Sequence, residues 1–233
     1  MRSIVDEPNR LTSIVVLTRY PDIFAVFQRS VEKYLPGYPV YVVVDQQGPG
    51  VDLPPHWNYV QGNQKFSMTG NCNAGWRAVT DGDILYCGDD ITFSSENAIE
   101  ELQRLAYKDP QIGIIAPQVI GGTGCPMQFR GHKIEGDVAF TEIRIPFICV
   151  YIKRETIDKV GYMDEQFNEY GSDDVDYCLR IKNAGYKLAL TPNVVIQHGD
   201  GTTTFRRNNE RIHEQLDRMW AKFEAKWGHR NLY

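Results

Sequence analysis

The chain carries little surplus charge, since 25 lysines and arginines face 30 aspartates and glutamates for a net of −5. Proteins that hold nucleic acid concentrate cations to neutralise phosphates, so this balance argues against a general nucleic-acid binder and leaves room only for a local basic patch. Long apolar runs are missing as well: no stretch approaches the roughly 20 residues that span a bilayer. The opening decapeptide MRSIVDEPNR is polar and lacks the apolar centre of a secretory signal. The cysteines, at 72, 87, 125, 149 and 178, are five in number and form no CxxC pair, which speaks against a disulfide framework and for a reducing, cytoplasmic setting. No internal repeat, low-complexity stretch or Gly-rich phosphate loop with a following lysine near the first strand is visible.

What is present is an alternation of short apolar runs and helical patterns over 233 residues, with 42% hydrophobic content, enough for one large α/β domain. Residues 11–18 read as a first strand. Residues 21–35 read as a helix with Ile23, Val26, Phe27 and Val31 on one face, stopped by Pro36 and Gly37. A β-branched second strand over 40–45 runs into a Gly/Pro-rich loop over 46–55. A helix over 70–78, a strand over 83–87 and a helix over 94–106 capped by Ser94 or Ser95 follow. After a strand over 111–117, residues 121–145 suggest irregular β structure, and a buried strand over 147–152 precedes a helix over 156–160. The tail over 208–227 places Ile212, Leu216, Met219, Trp220, Phe223 and Trp227 at helical spacing, a pattern expected to pack on the domain.

Two acidic elements interrupt this order. In ILYCGDDITF an apolar strand ends abruptly in Gly88, Asp89 and Asp90, which sets carboxylates at a strand's carboxyl end, where open α/β sheets bind ligands. Such hard oxygen ligands suit magnesium or manganese, and manganese also accepts an imidazole. Far downstream, FNEYGSDDVDYCLRIKNAGYKLALTPNVVIQH opens a helix with Asp173 and Asp174, closes it at Gly185, and ends the next strand in His198. Carboxylates in a first helical turn are favoured by the helix dipole and can accept a proton. Taken alone, Asp173 and Asp176 are better read as caps, and His198 as a structural histidine.

Taken together, these elements resemble family 2 inverting glycosyltransferases of the GT-A fold. The resemblance runs over about residues 11–205: SIVVLTRYPD, VYVVVD ending in Asp45, Asn73-Ala74-Gly75, the GDD turn, KRETIDKVGYMDEQF, Asp173-Asp174-Val175-Asp176 and His198, all in the family's order. It implies a Rossmann-like mixed, mainly parallel sheet flanked by helices, with a smaller acceptor-side β region. Residues 1–205 are then one domain, its nucleotide-binding half at about 11–93 and its acceptor half at about 94–205, with an amphipathic helix in 206–233. The resemblance assigns Thr18 and Arg19 to the nucleotide and Asp45 to the base, and Asn73 and Asp89 to nucleotide and ribose contacts. Asp90 and His198 become ligands for Mn2+ or Mg2+, and Lys65 and Arg77 possible phosphate partners. Asp174 is the expected general base, with Asp173 as its fallback, for a single displacement that moves a sugar from a nucleoside-diphosphate-sugar to an acceptor hydroxyl. One position departs from the family, which usually has an acid where this chain has Gly88.

The partners so implied are a nucleotide-sugar donor and a glycan, lipid-linked or protein acceptor, with no nucleic acid. A cytoplasmic enzyme acting on a lipid-linked acceptor would work at the membrane surface as a peripheral protein. Three other readings compete. Tyr86-Cys87-Gly88-Asp89-Asp90 resembles the Gly-Asp-Asp hairpin of RNA-directed polymerases, against which length, acidity and the lack of a basic template channel all speak. A sugar nucleotidyltransferase shares the fold class, and a non-catalytic nucleotide-sugar-binding module is favoured by Gly88.

Overall fold

A computed structural model describes residues 10–122, 125–199 and 212–228. Strands β1 (Thr12–Thr18), β2 (Val40–Val44), β3 (Asn58–Gln61), β4 (Asp83–Gly88) and β5 (Ile91–Thr92) come first, interleaved with helices α1 (Pro21–Tyr34) and α2 (Met68–Ala78). Helix α3 (Ala98–Lys108), β6 (Ile112–Gly121), a 3-10 turn (Pro126–Gln128), β7 (Ala139–Thr141) and β8 (Cys149–Ile152) follow. Helices α4 (Arg154–Val160) and α5 (Asp173–Asn183), β9 (Lys187–His198) and α6 (Ile212–Trp227) complete the described chain.

The strands form one sheet in the order β3-β2-β1-β4-β8-β6-β9-β5, with β7 added beside β9. It is parallel through β3-β2-β1-β4 and again between β6 and β9, and antiparallel where β8 joins the two halves and where β5 and β7 meet β9. The inner strands read as unbroken apolar runs because both of their faces are covered. Successive β1 residues serve opposite layers. Ile14 and Val16 pack with Phe24 and Phe27 of α1 and Leu102 of α3, while Val15 packs with Trp76 of α2, and Tyr177 and Ile181 of α5 belong to that same layer.

Several boundaries differ from the sequence reading. Helix α3 starts at Ala98 rather than Ser94, because β5 keeps residues 91–92 hydrogen-bonded to β9. Its N-cap Asn97 makes no side-chain cap, and Ser95 donates to the Asn97 side chain instead. Helix α2 begins two residues earlier than residue 70, with Ser67 Oγ accepting from Gly70 N at 3.0 Å. Strand β6 runs to Gly121. Of the expected tail helix, residues 208–211 lie outside the described residues, as do 123–124 of the expected irregular β region and 200–205 of the expected domain.

The two ends of the central strands are chemically opposite. At the amino end of β4, Asp83 is buried and fully engaged, accepting from Tyr151 Oη at 2.6 Å, Tyr107 Oη at 2.9 Å and Arg154 N at 2.8 Å. At the carboxyl ends the acids instead border a cavity.

Candidate active site

The register of the parallel strands makes the carboxyl ends of β1, β2 and β4 level. Leu17 lies opposite Gly88 and Thr18 opposite Val44, and Asp45 N donates to Thr18 O at 2.9 Å. The residues just past these ends, Thr18, Arg19, Asp45, Asp89 and Asp90, therefore surround one opening. Thr18 Oγ1 donates to Asp89 Oδ2 at 2.7 Å, which fixes that buried carboxylate against β1. Arg19 Nε donates to Asp45 Oδ2 at 2.8 Å, reinforced by Nη2, and Gln47 N donates to Asp45 Oδ1 at 2.9 Å. Gly48 is needed here, because a Cβ would stand 2.5 Å from Arg19 O. The Gly/Pro-rich loop thus closes directly onto Arg19.

Asp90 and His198 meet through the short antiparallel pairing of β5 with β9, in which Ile91 opposes His198 and Gly199 N donates to Asp90 O at 2.8 Å. Their side chains approach with Nε2 3.5 Å from Oδ2. His198 Nδ1 stands 2.5 Å from the Gly122 carbonyl, which can only accept, so Nδ1 carries a proton there. In the neutral ring Nε2 is then a lone-pair donor turned toward a carboxylate, an arrangement that a cation between them stabilises. The donor set therefore fits a divalent ion such as manganese. Among the described residues no group of three or more His, Cys, Asp or Glu is placed to hold a metal ion. Gly88 leaves space beside the Asp90–His198 pair: a Cβ there would meet Asp90 Oδ1 at 2.8 Å.

The third component is the start of α5. Gly171 and Ser172 both adopt positive φ, 106° and 65°, and Ser172 is the only non-glycine residue with positive φ among those described. Strain of this kind collects at functional sites. It turns the chain so that Asp173 and Asp174 both face the cavity. Asp173 is pushed up to about 7 by burial and by the Asp174 charge, against backbone hydrogen bonds that favour its ionised form. Burial also raises Asp174, opposed by the charge of Arg144 and by Val175 N, which donates to Asp174 Oδ1 at 2.7 Å. The expected capping pair does not form. Ser172 is the N-cap and makes no side-chain cap, and Asp176 turns away from the helix end to accept from Lys226 and Trp227.

Eight of the nine site residues named from the sequence thus border one cavity of about 740 Å³: Thr18, Arg19, Asp45, Asp89, Asp90, Asp173, Asp174 and His198. Asn73 does not. It is buried under α2, its amide nitrogen donating to Met163 O and Glu165 Oε1, both at 2.9 Å, while its oxygen accepts from Met163 N. Lys65 and Arg77 also lie off the cavity lining, and Arg77 pairs with Glu165 at 3.5 Å. Residues the sequence reading did not name complete the walls. Phe66 packs against Tyr170 in a tilted ring pair with centroids 5.2 Å apart and lies under the Arg19 guanidinium at 5.1 Å, Asn71 Oδ1 accepts from Asn63 N at 2.8 Å, and Arg144 faces the α5 acids. Leu216, Asp217 and Trp220 of α6 form the last wall. Helical periodicity marks Leu216 and Trp220 as an apolar face, and nothing in that spacing says the face borders a site.

No family model matches the chain. Across 93% of its length it is 23% identical to the uncharacterized protein y4gI of Sinorhizobium fredii, of which it spans 27%. Its fold is that of GT-A glycosyltransferases. It superposes on GalNAc-T7, solved with UDP, GalNAc and Mn2+, with a TM-score of 0.70 and 14% identity, covering 95% of this chain and 49% of that one. It likewise superposes on the mannosyltransferase PcManGT of Pyrobaculum calidifontis, solved with GDP-Man and Mn2+, with a TM-score of 0.65 and 14% identity, covering 95% of this chain and 66% of that one. The chain therefore spans about half of one neighbour and under two thirds of the other. No described helix is long and apolar enough to cross a membrane.

Proposed function

We propose that this chain is a glycosyltransferase that moves a sugar from a nucleoside-diphosphate-sugar to an acceptor hydroxyl by single displacement with inversion. One observation carries the reading: the acids that end β2 and β4, the Asp90–His198 pair and the Asp173–Asp174 start of α5 open into the same cavity. The UDP, GDP-Man and Mn2+ held by the two structural neighbours support its nucleotide-sugar and metal parts.

In this reading the nucleoside lies over the β1 and β2 ends. Asp45 accepts from an N–H of the base, Arg19 holds the Asp45 carboxylate in place, and Thr18 with Asp89 faces the ribose. Asp90 and His198 would hold a divalent ion. When bound, such an ion offsets the negative charge that gathers on the departing diphosphate. Asp174 takes the proton of the acceptor hydroxyl as its oxygen forms the new bond to the anomeric carbon, while the bond to the diphosphate oxygen breaks with its electron pair. Burial raises the Asp174 carboxyl above the ordinary carboxylate range, against the opposing charge of Arg144, and so makes it a better proton acceptor. The acceptor enters from the side of Arg144 and α6. Its identity as glycan, lipid-linked sugar or protein is set by groups beyond this wall.

The test is a panel of UDP- and GDP-sugars with Mn2+, read by release of nucleoside diphosphate. Slow donor hydrolysis is expected without acceptor and faster release with one. Asp174→Asn should lower turnover by about 10²- to 10⁴-fold while the nucleotide still binds. Nucleotide binding without hydrolysis or transfer from any donor would instead establish a non-catalytic module, the reading that Gly88 favours.

A further inference from the structure

Helix α6 does more than cover apolar surface. Arg218, Lys222 and Lys226 recur every fourth residue and so form one stripe. Every member of the stripe reaches the segment between α4 and the start of α5. Arg218 forks onto Glu169, with Nε to Oε2 at 2.9 Å and Nη2 to Oε1 at 3.0 Å. Lys222 Nζ donates to Gln166 O at 2.7 Å and to Asn168 Oδ1 at 3.1 Å. Lys226 Nζ bridges Asp164 Oδ2 at 2.7 Å and Asp176 Oδ1 at 2.6 Å, and Trp227 Nε1 adds a second donor to that Asp176 oxygen at 2.8 Å.

Beneath this polar row Met219 and Phe223 are buried with Phe167, Val175 and Leu179. Leu216 presses on Gly171, with its Cδ2 2.7 Å from where a Cβ on that glycine would stand. The helix thus grips both sides of the strained Gly171–Ser172 turn. Residues 164–169 are held upstream of it and Asp176 downstream, leaving Asp173 and Asp174 in between. A positive φ at a serine persists only where its surroundings over-determine it, and α6 supplies much of that determination.

We infer that α6 is a clasp that fixes the turn carrying Asp173 and Asp174, with Lys226 as the central positioning residue and Arg218 as its partner on the upstream side. This rests on the reading of Asp174 as the base. The donor-binding groups proposed above sit on the strand ends, away from the Lys226 and Arg218 contacts, whereas the direction of the Asp174 carboxylate depends on the turn those contacts hold.

The experiment compares Lys226→Met, Lys226→Arg and Arg218→Gln with the unmodified chain, and runs Asp174→Asn in parallel. Lys226→Met leaves the buried Asp176 with only the longer Arg180 contact, at 3.9 Å, as a cation partner, so the double variant Lys226→Met/Asp176→Asn serves if the single one does not fold. Hydrogen exchange of the 171–175 amides is expected to quicken at least about tenfold in Lys226→Met, with the β4 amides unchanged. kcat is expected to fall about 10- to 100-fold, as for a catalytic group displaced by about 1 Å, with nucleotide affinity unchanged and Lys226→Arg restoring most of the loss. Unaltered exchange at 171–175, or quickened exchange with kcat kept within twofold, overturns the clasp. Undiminished turnover in Asp174→Asn overturns the base assignment, and the clasp as a device for positioning that base falls with it. A loss in Asp174→Asn with wild-type turnover in the Lys226 and Arg218 variants removes the clasp alone.

Discussion

Asp173 and Asp174 show how two neighbouring carboxylates acquire different chemistry from position alone. Burial and the neighbouring Asp174 charge push Asp173 up to about 7, whereas the rise of Asp174 on burial is opposed by the charge of Arg144 and by the bond it accepts from Val175 N. Because the folded-state pKa of Asp173 is raised, the native state binds more protons than the unfolded chain between about pH 4 and 7. Its contribution to stability is therefore retained below that window and lost as pH rises through it. Asp173→Asn should raise the melting temperature at pH 8, by about 2–4 °C for each kcal/mol of relieved desolvation in a domain of this size, and change it little at pH 4. Thermal melts at the two pH values check this, and an equal shift at both would remove the buried charge as the cause. The carboxylate doublet itself is legible in the sequence. The φ of 65° at Ser172 that aims it is not, because serine carries no mark of left-handed backbone.

Among the elements, α2 shows what a short motif can mean physically. Asn73-Ala74-Gly75 resembles a nucleotide-contacting motif in sequence, yet Asn73 ties α2 to Met163 and Glu165, and Gly75 lets the helix approach the sheet. A Cβ on Gly75 would stand 2.5 Å from Val15 Cγ1 and 2.8 Å from Val43 Cγ2, both in the interior. Gly75→Ala gains about 1 kcal/mol of helix propensity and forces overpacking of about 1–3 kcal/mol, so packing should win. Its urea midpoint should fall, and nucleotide affinity should fall with it, since α2 lies behind the β1 and β2 ends. An unchanged midpoint would mean that α2 lifts off the sheet at no cost. The long periodic elements were readable because burial imposes their pattern on many residues. Strands β3 and β5 were not: β3 is an edge strand of four residues, mostly exposed, and β5 has only two residues. Neither is long enough to show a period.

For the whole molecule, the fold gathers residues from 17 to 220 around one opening, and the sequence revealed the parts of the site more readily than its walls. Carboxylates that end apolar runs stand out against the pattern. Phe66, Asn71, Arg144 and Tyr170 lie in loops or on covered faces, where neither spacing nor composition distinguishes a wall from ordinary packing. The same gathering predicts how ligands act on the fold. If Asp90 and His198 hold a cation as proposed, diphosphate oxygens of the donor would help complete its shell, and nucleotide and metal would each strengthen the binding of the other. Mn2+ alone and UDP or GDP alone should each raise the melting temperature slightly. Together they should raise it by more than the sum, with stabilisation approaching about 2.7 kcal/mol at a hundredfold excess over the dissociation constant. Asp90→Asn should erase the excess and keep the shift due to nucleotide alone. On the proposed reading, in which Asp45 accepts from the base, Asp45→Asn should weaken nucleotide binding with or without metal. If the full shift persists in a chelator, the Asp90–His198 pair is an ordinary ion pair between two strands, and the cavity binds its nucleotide without a metal.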